Sequence, residues 1–145
     1  MTFRSYTVAL TLLLGAGNTL AQTAVQVEVF KSPYCGCCGQ WVEHLRGNGF
    51  EVQTHKVAEL PADIQKLHIP ENLESCHTAK IGGYVIIGHV PAADIRRLLK
   101  EEPKAVGLSV PGMPAGSPGM EGAKPVHYET LLVQADGTTQ VFARH

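Results

Sequence analysis

The chain of 145 residues carries 12 lysines and arginines against 13 aspartates and glutamates, a formal net charge of −1. So balanced a charge provides no basic face and argues against nucleic acid as a partner, while the length suits one domain with an ordinary core. Its four cysteines are unevenly spread, with Cys35, Cys37 and Cys38 inside four positions and Cys76 far along the chain.

The chain opens MTFRSYTVALTLLLGAGNTLAQTA, with Arg4 before an apolar run from Tyr6 to Leu14 and small residues ending at Thr19-Leu20-Ala21. This is the layout of a secretory signal peptide, residues 1–21, cut after Ala21, which leaves one domain over residues 22–145 outside the cytoplasm. The apolar run is far shorter than the ~20 residues of a spanning helix, so no stable membrane insertion is expected.

VQVEVF, residues 25–30, alternates as a strand with Val25, Val27 and Val29 on one face. Pro33 and the glycines turn the chain, and from Gly39 the residues Trp41, Val42 and Leu45 share a helix face that ends at Gly47 and Gly49. EVQTHKV, residues 51–57, is a second alternating strand, which makes a right-handed parallel βαβ unit. Pro61 opens a second short helix carrying Ile64 and Leu67, and Pro70 closes it. HTAKIGGYVIIGHV reads as a hairpin around Gly82-Gly83, and PAADIRRLLKEEP as a helix with Ile95, Leu98 and Leu99 inward.

The order βα, βα, ββ, α is that of the thioredoxin fold. Residues 106–125, with five glycines and four prolines, predict a long irregular loop that contains Met113 and Met120. HYETLLVQADGTTQVFARH closes the chain as a hairpin around Asp136-Gly137. The expected class is α/β: a thioredoxin-like βαβα-ββα unit with a Gly/Pro/Met-rich loop and a C-terminal β-hairpin.

Clustered cysteines serve a structural disulfide, a redox pair or a metal site. Cys35 and Cys38 have the C-x-x-C spacing, between first strand and first helix, of a thioredoxin redox pair, where unpaired N–H groups and the helix dipole pull a thiol below its free pKa of ~8.5. That pair has no use for Cys37. A bridge between neighbours Cys37 and Cys38 is strained, because disulfides want Cα atoms ~4.4–6.8 Å apart. Cys37 is therefore either idle or a metal ligand. Cys76, just before the third strand, faces the same site in this topology and offers a fourth sulfur; its bland alternative is a buried apolar cysteine.

Structural zinc prefers four tetrahedral ligands from well-separated pairs, whereas C-x-C-C confines three sulfurs to one turn and suits bridging of several ions. Thiolates and thioethers select Cu(I), so Met113 and Met120 are candidate outer ligands, with surface methionines as the alternative. His77, beside Cys76, and His127, just past the loop, are weaker candidates.

KSPYCGCCGQWVEHL, ESCHTAKIGGYVIIGHVPAADI and GLSVPGMPAGSPGME occur in this order over residues 26–127. In these blocks the chain resembles the CopG-type periplasmic copper-resistance proteins of bacteria. The resemblance implies a thioredoxin-like periplasmic domain that binds copper through Cys35, Cys37, Cys38 and Cys76. It departs from true thioredoxins in CHTAKIGG, which lacks the proline that precedes their third strand. The expected function is a copper protein holding Cu(I), more than one ion, for sequestration, redox cycling or transfer to other periplasmic copper-handling proteins. The alternatives are a thiol-disulfide oxidoreductase with Cys35 and Cys38 as its catalytic pair, and a passive module with a Cys35-Cys38 bridge.

Overall fold

The computed structural model describes residues 24–122 and 124–145, so the expected signal peptide lies outside the described residues. Strand β1 (Val25–Lys31) leads to helix α1 (Cys38–Gly47), strand β2 (Phe50–Lys56), the single turn α2 (Ala62–Gln65) and a 3-10 turn at Glu71–Leu73. Strands β3 (His77–Ile81) and β4 (Tyr84–Gly88), helix α3 (Ala92–Glu101), and strands β5 (Gly107–Val110), β6 (Glu129–Val133) and β7 (Thr139–Arg144) follow. No helix among the described residues is long and apolar enough to cross a membrane.

All seven strands join one mixed sheet in the order β2-β1-β3-β4-β5-β6-β7. β1 is parallel to β2 and antiparallel to β3, β4 is parallel to β5, and the other neighbours are antiparallel. The parallel β1-β2 pair follows from the α1 crossover, which buries Trp41, Val42 and Leu45 on the sheet. Those side chains meet Val27 and Val29 from β1, Ile86 from β4, and Ile95 and Leu98 from α3 in a single core.

Two expectations fail. Residues 107–110 are not loop: Gly107–Val110 is a wholly buried strand that pairs with β4 and β6. Its apolar Leu108 and Val110 supply the burial, and Gly107 runs so near β4 that a Cβ there would stand 1.7 Å from the Val85 carbonyl oxygen. The glycine read as a breaker is the close-approach residue of a strand. Through β5 the C-terminal hairpin joins the main sheet. The second helix is also shorter than expected, because Leu67 lies beyond the turn that Pro61 starts.

The two long helices are tied together. Pro91 gives α3 no side-chain cap, and the free N–H of Ala92 donates instead to His44 Nε2 on α1 at 3.1 Å. Burial lowers the His44 pKa, which keeps that nitrogen an acceptor at neutral pH.

Candidate metal centre

The four cysteines meet where β1 ends, α1 begins and β3 starts. The Ser32 N–H donates to the Cys76 carbonyl at 3.1 Å, so the exit of β1 is fastened to the approach to β3. The Cys35 N–H then donates to the Ser32 carbonyl at 3.2 Å, a turn that carries the chain back to α1. Cys37 occupies the N-cap of α1 and makes no side-chain cap bond there, and Cys38 is the fully buried first residue of the helix. The ligand atoms of Cys35, Cys37, Cys38 and Cys76 all lie within 4.8 Å of one another.

Within this cluster Cys35 and Cys38 form a disulfide, with Cα atoms 5.6 Å apart, and Cys37 and Cys76 are free. Cys76 Sγ lies 2.7 Å from Cys35 Sγ and 3.4 Å from Cys38 Sγ, and Cys37 Sγ is 3.8 Å from Cys35 Sγ. Two sulfurs each bonded at ~2.3 Å to one ion stand roughly 3.8 to 4.6 Å apart, from tetrahedral to linear geometry. The Cys35–Cys37 separation already falls in that range, and the two shorter ones would have to widen for Cys76 to share an ion with Cys35 or Cys38. Burial, and next the adjacent Cys37, push the Cys76 thiol pKa up, so a metal at this sulfur displaces a proton.

The sulfur count does not stop at cysteine. Met113 adopts a left-handed backbone, φ 48°, and its Sδ stands 3.6 Å from Cys37 Sγ. A bulky residue is costly in that region, and the strain falls where a thioether meets the thiols. Met120 is half-buried in the same loop, and of the two methionines only Met113 places its sulfur within hydrogen-bonding distance of a cysteine. The loop folds back on α1: a Cβ at Gly119 would be 3.0 Å from the Trp41 nitrogen and 3.4 Å from the Cys37 carbonyl oxygen.

The two expected histidines part company. His77 is buried, with Nδ1 3.2 Å from Cys38 Sγ and Nε2 2.9 Å from the Gly88 carbonyl. A carbonyl only accepts, so Nε2 carries the proton and the bare Nδ1 faces Cys38. His127 is exposed and sits against the His145 carbonyl near the C-terminal hairpin, away from the sulfur cluster. Sequence reasoning missed His89, fully buried just after β4, whose Nδ1 lies 2.7 Å from the Pro118 carbonyl of the methionine loop. Its signal was an imidazole set inside the apolar run VIIGHV.

Burial, reinforced by His89, lowers the His77 pKa from 6.5 to about 4. The unfolded chain then binds the proton more readily, so stability is full above pH 6.5 and falls as the pH drops toward 4. At ~1.4 kcal/mol per unit, the copper-free protein loses about 3 kcal/mol over that window through this one group. Urea unfolding at pH 7 and pH 4 measures the loss, and His77→Asn flattens it; an equal slope in the variant refutes the assignment.

Residues 73–120, which include Cys76, His77, His89 and Met113, match a family described as "Protein of unknown function, DUF411". No curated protein matches the sequence. Two solved structures that resemble the chain are titled "Copper resistance protein copG- Form 2" and "Copper resistance protein copG- Form 1". Each is 41% identical, with a TM-score of 0.77, over 84% of this chain and 98% of the other.

Proposed function

The chain belongs to the family of the copper resistance protein CopG, and on that premise we propose that it is a periplasmic copper-binding protein that holds Cu(I) in a cysteine-thiolate site. The observation that carries this reading is the convergence of four sulfurs within 4.8 Å. A donor set of thiolates with a thioether beside it is soft, and softness selects Cu(I) over calcium, magnesium or manganese. Four sulfurs so close together bridge ions, which supports more than one copper per chain. Cys35, Cys37, Cys38 and Cys76 are the ligands in this reading, with Met113 beside them and Met120 and His77 as lesser donors.

Residues 1–21 act as the export signal, and residues 22–145 form a single copper-binding domain. Its β1-α1-β2-α2-β3-β4-α3 portion is a thioredoxin-like core, a reading supported by the β2-β1-β3-β4 order of the sheet. The protein serves copper resistance by sequestering Cu(I), cycling it between oxidation states or passing it to other periplasmic copper proteins.

A second reading, thiol-disulfide exchange through Cys35 and Cys38, is favoured by one observation, the disulfide at the start of α1. Insulin reduction tests it: turnover by the copper-free protein supports exchange, and none removes it.

Anaerobic Cu(I) titration of the reduced protein, with metal analysis, tests the copper reading. More than one copper per chain is expected, and retention of zinc against Cu(I) competition overturns it. Cys37→Ser should lower the copper stoichiometry while the Cys35–Cys38 disulfide still forms on oxidation, since the substitution leaves the C-x-x-C frame untouched. An unchanged titration makes Cys37 idle.

A further inference from the structure

We propose that His89 is a positioning residue, a latch that holds the methionine loop so that Met113 stands over Cys37. The proposal deepens the copper reading and depends on it only for the copper half of the test below.

An imidazole is a poor choice for the place His89 occupies. It is fully buried, its Nε2 has no hydrogen-bond partner among the described residues, and an apolar side chain would fill the space without that cost. Its one hydrogen bond runs to the loop: Nδ1–H donates to the Pro118 carbonyl at 2.7 Å. Neither ring nitrogen lies within hydrogen-bonding distance of a cysteine. The residue type is explained if that single bond matters.

The bond is well placed to matter. Pro118 precedes Gly119, which lies against the Trp41 nitrogen and the Cys37 carbonyl with no room to spare. Within the loop itself, both carboxylate oxygens of Glu121 accept the Gly119 N–H at 2.9 Å, which shapes the turn that follows Pro118. From there the loop behaves as one piece. Ser117 N–H donates to the Pro114 carbonyl at 3.0 Å, Met120 N–H to the Ser117 carbonyl at 2.8 Å, and Gly116 N–H to the Met120 carbonyl at 3.1 Å. The Ser117 hydroxyl adds a further bond to the Pro114 carbonyl at 2.7 Å. Fixing Pro118 therefore fixes Pro114, and with it the strained Met113 whose sulfur meets Cys37.

The test follows the Met113 methyl group by NMR in copper-free protein labelled at methionine methyls, its resonance identified with Met113→Leu. Wild type should give one shifted, sharp Met113 resonance. His89→Leu should return it to the free-methionine position, whereas His89→Asn, whose side-chain amide nitrogen replaces Nδ1, should retain it. His89→Gln, which stays polar but cannot place an amide nitrogen where Nδ1 stands, should also release it, and it carries the test if His89→Leu fails to fold.

In the copper half, His89→Leu and Met113→Leu should each weaken Cu(I) binding about fivefold, the scale of one lost interaction, with no further loss in the double variant. An unmoved methyl resonance in His89→Leu, or in His89→Gln where the leucine variant does not fold, overturns the latch, and so does a multiplied loss in the double variant. If the resonance responds as described while Met113→Leu binds Cu(I) as tightly as wild type, the latch stands and the ligand role of Met113 falls.

Discussion

Protein carrying the Cys35–Cys38 disulfide should take up no tightly held Cu(I), and the same protein, reduced anaerobically, should bind copper beyond one ion per chain. A sulfur in a disulfide is no longer a thiolate, so oxidation withdraws two of the four clustered donors at once. Cys37, Cys76 and the Met113 thioether remain, a set too small to bridge several ions. Four-ligand structural zinc sites bind with roughly 10–16 kcal/mol at neutral pH, and on that scale the loss of half the ligands weakens affinity on the order of a thousandfold or more. Opening the bridge takes two electrons, supplied in the experiment by a phosphine that is removed before titration. Competition against a chromophoric Cu(I) chelator reads the difference, and equal uptake by the two forms would refute the four-thiolate site.

Trp41→Ala should be the most damaging single change in the core. The indole is fully buried, it lies 4.5 Å from the His77 ring between centroids, and its Nε1–H donates to the Val90 carbonyl at 2.9 Å. Truncating a buried tryptophan costs about 3–5 kcal/mol, and leaving the Val90 carbonyl unpaired adds about 1–3. Such a sum rivals the whole stability of a domain this size, so the variant should be largely unfolded at 25 °C by near-UV circular dichroism. Trp41→Phe keeps most of the packing and loses only the indole bond, so it should stay folded with a lower urea midpoint. A Trp41→Ala protein with a native spectrum would mean that α1 is held by something other than this contact. The site would follow α1, because Cys38 opens the same helix three residues earlier.

The parts of this architecture that were legible in the sequence are those where periodicity and punctuation agree. Val25, Val27 and Val29 mark β1, Gly82-Gly83 turns β3 into β4, and Ile95 with Leu98 marks the inner face of α3. β5 was illegible for a physical reason: four residues are too few to show a period, and Gly107 at its start and Pro111 just past its end signal a break. Only the facing β4 backbone makes that glycine necessary, and a neighbour so distant in sequence leaves no local mark.

The candidate site divides in the same way. C-x-C-C and the approach to β3 locate four sulfurs from spacing and topology alone. His127 looked as near to the loop as His77 did to Cys76, yet chain proximity sends it toward the C-terminal hairpin. His89 carries no sequence motif, and its role emerges only when the loop is folded over α1.

The turns between Pro114 and Met120 are closed by the loop's own backbone bonds. Fixing a backbone residue costs about 1–2 kcal/mol of conformational entropy at 25 °C, and here folding has already met it. A ligand that engages the Met113 side chain finds an ordered arm and no disordered segment to freeze. On the copper reading, Cu(I) reaching Met113 would therefore bind with little further loss of backbone entropy and no slow ordering step between encounter and binding.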